Sequence, residues 1–232
     1  MVSIDDAAKK IVASYGSVVF LDTCVLLDVI RAPIRETLPI GTVEAASRLA
    51  LALSQPQGNV GVVVGSLVGQ EWHDHFKSVN DEVSRFIEHI DDCIGRIDFS
   101  LGRLGVTVGA PAFVPHQLAD RLADLSQLIL NQSIQLDDSP EIRLKAIDRL
   151  YAGRPPARKD GQLKDCQILE ECLAVAVQIR AAGFPGPVVY CTSNTRDYGE
   201  PNRLDGGFAA ELQSIAVTYT TNLPWAVTAL GI

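Results

Sequence analysis

The run Ser17-Val18-Val19-Phe20-Leu21-Asp22 constrains the fold more than any other stretch of this 232-residue chain. Four consecutive apolar residues without polar alternation describe a strand buried on both faces, as in a parallel sheet covered by helices. The run stops at an acid, and Thr23-Cys24-Val25-Leu26-Leu27-Asp28-Val29-Ile30 returns to helical spacing. Open α/β sheets place their ligands just outside the carboxyl ends of such strands. Asp22 therefore reads in two ways, as an N-cap for the following helix and as a candidate site residue.

The alternation of strand and helix continues. Ile4, Ala7, Ala8, Ile11, Val12 and Tyr15 form one stripe of an N-terminal helix that Gly16 ends. Pro33 and Pro39 make 31–41 a loop, and Thr42 is a candidate cap for a helix carrying Val43, Ala46, Leu49, Ala50 and Leu53. Val60-Gly61-Val62-Val63-Val64 is the second buried strand. Gly65-Ser66 opens a helix that carries Glu71 and runs to the low nineties; further helices are expected around 118–129 and 142–150. A third strand, Val188–Cys191, follows a helix at about 163–182, and an edge strand is expected at 215–219. The pattern predicts one α/β domain over 1–232, doubly wound with a central, mostly parallel sheet. Its core is about 1–75 and 160–232, with a helical insertion at about 76–150.

Composition narrows the function classes. A net charge of −8 argues against wrapping duplex DNA on a basic surface. No stretch approaches the roughly 18 apolar residues of a membrane span, and the acidic start Met1–Asp6 lacks the apolar core of a signal peptide. Five scattered cysteines without a C-x-x-C pair suggest reduced thiols, a cytoplasmic location and no structural zinc. Walker A, G-x-G-x-x-G and G-x-S-x-G patterns are absent. Trp72 reads as core, His73 and His75 as surface, Cys166 and Cys172 as small buried residues.

Four acids stand out by position. Asp22 ends the first strand and Asp197 follows the third, after Thr192-Ser193-Asn194. Asp165 sits on the apolar stripe Asp165, Leu169, Cys172, Ala176, Ile179, where a carboxylate needs a partner; Lys164, Gln167, Glu171 and Gln178 form the polar face. Glu71 follows the second strand. Each has an ordinary reading as a cap, turn or first-turn acid. Together they would converge at one edge of the sheet.

The segments Phe20-Leu21-Asp22-Thr23-Cys24-Val25-Leu26-Leu27-Asp28, Glu71, Lys164-Asp165-Cys166-Gln167-Ile168-Leu169-Glu170 and Thr192-Ser193-Asn194-Thr195-Arg196-Asp197-Tyr198 resemble those of PIN-domain nucleases. That family includes toxin ribonucleases of toxin–antitoxin pairs. The resemblance covers about 17–75 and 160–222. It implies a PIN-like three-layer α/β/α fold and hydrolysis of RNA phosphodiesters at a four-carboxylate site. Asp22, Glu71, Asp165 and Asp197 would be catalytic residues and ligands of Mg²⁺ or Mn²⁺, the ions suited to all-oxygen ligation. Thr192 and Asn194 would position acids or the scissile phosphate. Arg196, Lys164, Arg158, Lys159 and Arg154 would form a basic rim for the nucleic-acid backbone. Cys24 departs from the pattern, which usually has Asn or Ser there to orient the first acid. Structure-specific cleavage of DNA, and an RNA-binding or protein-interaction scaffold, are the alternative readings. A homodimer and an antitoxin-like protein partner follow from family habit alone.

Overall fold

The sheet forms around three apolar segments that bury both faces. The structure, a computed structural model, describes residues 1–55, 59–157 and 162–232. β1 (Ser17–Leu21) is buried at every residue and lies at the centre. It is flanked by β2 (Val60–Val64) and β4 (Val188–Cys191), with β3 (Ile134–Gln135) and β5 (Thr218–Thr220) at the edges, in the order β3-β2-β1-β4-β5. Every pairing is parallel, and Val19 stands between Val62 and Val189. Side chains alternate across the sheet as the strand period of two requires. Val19, Leu21, Val62, Val64, Val189 and Cys191 point into one apolar layer, and Val18, Phe20, Val63, Val188 and Tyr190 into the other.

Helices cover both faces. The first layer holds α2 (Thr23–Arg31), α3 (Thr42–Ser54), α4 (Val68–Arg103), α5 (Leu118–Gln132) and α10 (Leu223–Leu230). The second holds α1 (Ile4–Ser14), α7 (Leu163–Ala181) and α9 (Gly206–Ser214). α6 (Pro140–Tyr151) packs on α7, and α8 (Thr195–Tyr198) is a single turn after β4. Among the described residues no helix is long and apolar enough to cross a membrane.

The expected strands are present, with three differences in detail. The last strand begins at Thr218 and not at 215, because Ala216 takes a left-handed conformation (φ 50°) and Val217 N–H bonds back to Leu212 O. Thr42 is inside its helix; Gly41 occupies the cap position, and the Thr42 hydroxyl donates to Pro39 O at 2.7 Å. α4 continues to Arg103, beyond the low nineties, with Gly95 and Gly102 in open space on it. Residues 56–58, between α3 and β2, lie outside the described residues.

The span 76–150 is mostly helical and also supplies β3. It is wired into the core. Trp72 Nε1 on α4 donates to Ser126 Oγ on α5 at 2.9 Å, and Ser126 Oγ donates to Leu26 O on α2 at 2.7 Å, all buried. On the other side of the sheet Arg149 is fully buried. Its Nε and Nη2 donate to Glu170 on α7 and Glu211 on α9, each at 2.6 Å, and its Nη1 donates to Pro155 O at 2.9 Å. One guanidinium thus ties α6, α7, α9 and the loop after α6.

Candidate active site

Adjacent strands β1 and β4 send their following segments to opposite faces of the sheet, α2 to one and α9 to the other. This is a topological switch point, and it opens a crevice at the carboxyl ends of those strands. A cavity of about 460 Å³ lies there, lined by Asp22, Glu71, Asp165 and Asp197 together with Asn194 and Arg196. All four acids singled out in the sequence therefore face one space.

Asp22 fills both of its expected places. It is the N-cap of α2, accepting from Thr23 N–H at 2.7 Å through Oδ1. Its Oδ2 accepts from Thr192 Oγ1 at 2.6 Å and from Cys24 Sγ at 3.4 Å. Burial pushes its carboxyl above the usual range, and the three hydrogen bonds oppose that shift. Cys24 supplies a donor to the first acid, and its own sulfur accepts from Ser193 N–H at 3.2 Å. Thr192 is fully buried behind the cavity wall, where it orients Asp22.

The other acids are held by their neighbours. Glu71, in the first turn of α4, accepts from Thr23 Oγ1 at 2.8 Å and lies 3.7 Å from Lys164 Nζ at the rim. Asp197 accepts from Asn194 Nδ2 at 3.0 Å. Asp165, in the first turn of α7, is raised to about 7, chiefly by burial and then by the negative charges of Asp22, Glu71 and Asp197; Lys164 opposes them. Its raised value reflects burial first and the repulsion of three neighbouring carboxylates second. Arg154 lies elsewhere, beside Glu211 in a separate recess. Arg158 and Lys159 fall outside the described residues.

The polar face expected on α7 is wrong in one respect. Gln167 and Glu171 are buried, Glu171 fully. Glu171 reaches the junction between β2 and α4, where it accepts from Ser66 N–H at 2.8 Å, from Ser66 Oγ at 2.6 Å and from Gln167 Nε2 at 3.2 Å. The helix carrying Asp165 is thereby fastened to the start of the helix carrying Glu71. Gly65 makes room: a Cβ there would stand 2.6 Å from Glu171 Oε2. Gly65→Ala is expected to displace the carboxylate from Ser66 and cost about 1–3 kcal/mol, the penalty of a buried acceptor losing its donors. Urea unfolding measures it, and a loss below about 0.5 kcal/mol would show that the carboxylate relocates freely. Thr23 and Arg31 also line the cavity, and neither carries a signal in the sequence that marks it as a site residue.

Among the described residues, no three His, Cys, Asp or Glu side chains are arranged to hold one metal ion directly. The donor chemistry nevertheless fits a hydrated hard cation, because four carboxylates line a cavity roomy enough for an ion and its waters. No family model, curated protein or solved structure matches the chain.

Proposed function

We propose that this protein is a PIN-like, Mg²⁺- or Mn²⁺-dependent nuclease that hydrolyses RNA phosphodiesters. The convergence of Asp22, Glu71, Asp165 and Asp197 on one cavity at the switch point of a parallel sheet carries this reading. Asp22, Asp165 and Asp197 would hold the ion, directly or through water, with Glu71 as a further ligand. When bound, the ion would activate the attacking water and stabilise the leaving oxygen.

The chain's own residues do the rest. Thr192, Cys24 and the Thr23 amide keep the buried Asp22 carboxylate oriented toward the cavity. Asn194 turns Asp197 and Thr23 turns Glu71. Arg196, which lines the cavity, and Lys164, beside Glu71, would offer cations to a phosphate backbone whose charge the acids would otherwise repel. Burial and the neighbouring acids push Asp165 up to about 7, so a cation held there would displace a proton from it. Cation affinity therefore rises between pH 6 and pH 8, with proton release on binding.

Calorimetric titration with Mn²⁺ tests the site. The wild type is expected to bind more tightly at pH 8 than at pH 6, and Asp22→Asn to bind at least about tenfold more weakly. Single-stranded RNA should be cut by the wild type only with the ion present. Equal, weak binding by both proteins would remove the four-acid site from consideration. Cleavage of a branched DNA in preference to RNA would redirect the substrate and leave the site intact.

A further inference from the structure

The mechanism above leaves two buried tyrosines unused. Tyr190 on β4 and Tyr198 on α8 are each 1% exposed. Tyr190 OH donates to Tyr198 OH at 2.8 Å, and Tyr198 OH donates to the backbone carbonyl of Asp165 at 3.2 Å. Neither hydroxyl touches the cavity. Their rings pack among Phe208 and Tyr219, which fixes the hydroxyl positions from the second apolar layer. The relay therefore runs from the central sheet, through the residue that follows Asp197, to the main chain of Asp165.

We infer that Tyr198 is a positioning residue, which sets the spacing between Asp165 and Asp197 by clamping the first turn of α7 to α8. Two features of the placement support a role specific to the site. The carbonyl it holds belongs to a cavity-lining acid and not to an arbitrary helix residue. Glu171 fastens the middle of α7 to Ser66, in the junction before α4, and leaves the first turn to be held by Tyr198. Catalytic groups lose efficiency steeply with small displacements, so an acid on the first turn of a helix needs that turn to be held. The inference that the spacing serves catalysis rests on the nuclease reading; the clamp itself does not.

Two isosteric variants of the full chain separate these claims. Tyr198→Phe removes the hydroxyl that holds Asp165. Tyr190→Phe removes one hydroxyl from the same buried pair but leaves the bond to Asp165 in place. Tyr198→Phe is expected to lower kcat on single-stranded RNA about tenfold with KM unchanged, and to weaken Mn²⁺ binding. Tyr190→Phe is expected to stay within about twofold on both measures. Amide hydrogen exchange over 163–169 should accelerate in Tyr198→Phe alone.

Equal losses in the two variants would reduce the pair to packing and overturn the proposal. So would exchange and Mn²⁺ binding in Tyr198→Phe that match the wild type. Faster exchange in Tyr198→Phe, from a wild type that neither binds Mn²⁺ nor cuts RNA, would refute the nuclease reading and the catalytic purpose of the spacing while establishing the clamp.

Discussion

Asp165→Asn is expected to stabilise the metal-free fold at pH 8 while abolishing Mn²⁺ binding and RNA hydrolysis. The Asp165 carboxyl titrates near 7 in the folded protein against an ordinary value of 3.8. Between those values the native state holds a proton that the unfolded chain has released, so stability falls as pH rises. The fall begins near pH 4 and levels off above about pH 7. A tenfold change in proton affinity is worth about 1.4 kcal/mol, and solvent screening of this partly exposed group holds the full effect to about 2–3 kcal/mol. Burial and the neighbouring charges of Asp22, Glu71 and Asp197 cause it, and an amide feels neither as a charge. Thermal melting from pH 5 to pH 8 in the presence of a chelator measures the difference. The wild type should lose stability across that window, while Asp165→Asn, which lacks the titrating carboxyl, should show a shallower slope. Adding Mn²⁺ should then raise the wild-type midpoint and leave the variant where it is. Parallel pH slopes in the two proteins would mean that the acids do not strain one another.

A second large effect is expected away from the cavity. Arg149→Ala should destabilise the protein by about 3–5 kcal/mol, the range for breaking one side of a buried ion pair. Arg149 has no solvent contact, and its three donor groups engage Glu170, Glu211 and Pro155 O. Removing it leaves Glu170, itself 8% exposed, as a buried carboxylate without its cation. The loss should be smaller when Glu170 is neutralised as well, because the penalty comes from the stranded charge more than from the missing attraction. Arg149→Lys should recover only part of the stability, since an ammonium does not reproduce the planar fork. Urea unfolding of Arg149→Ala, Arg149→Lys and Arg149→Ala with Glu170→Gln resolves these cases. An Arg149→Ala loss below about 1 kcal/mol would show that water replaces the guanidinium at little cost.

The acids after β1 and β4 are legible in the sequence because their meaning is local: a buried strand ends, and the next polar residue stands at the sheet's edge. Glu171 is not legible. Helical periodicity sorts residues into one inner and one outer face, and α7 from Cys166 to Leu173 is buried all round. A polar residue on its second face therefore reads as solvated. The partners that satisfy Glu171, chiefly Ser66, lie far away in sequence and leave no trace in spacing. β3 leaves no signal because two residues carry no period. α10 has ordinary start signals in Asn222, whose side chain accepts from Trp225 N–H, and in Pro224 at the helix start. The apolar run from Ile215 draws attention away from them, because it reads as a strand that begins too early. Arg149 looks like one more charge near a basic loop, and only the approach of α7 and α9 gives it partners.

The Ser126 hydroxyl, held between the Trp72 indole and the Leu26 carbonyl, bears on how such a chain evolves and how it can be engineered. Excising α5 as a removable cassette would leave the Trp72 indole N–H unanswered in an apolar interior, and would uncover the α2 residues that follow directly from Asp22. The helical segment and the acid edge have to change together. A transplant that moves one without the other should yield a chain that folds poorly, and the outer surfaces of these helices and the segment joining α4 with α5 are the places where substitutions should be tolerated.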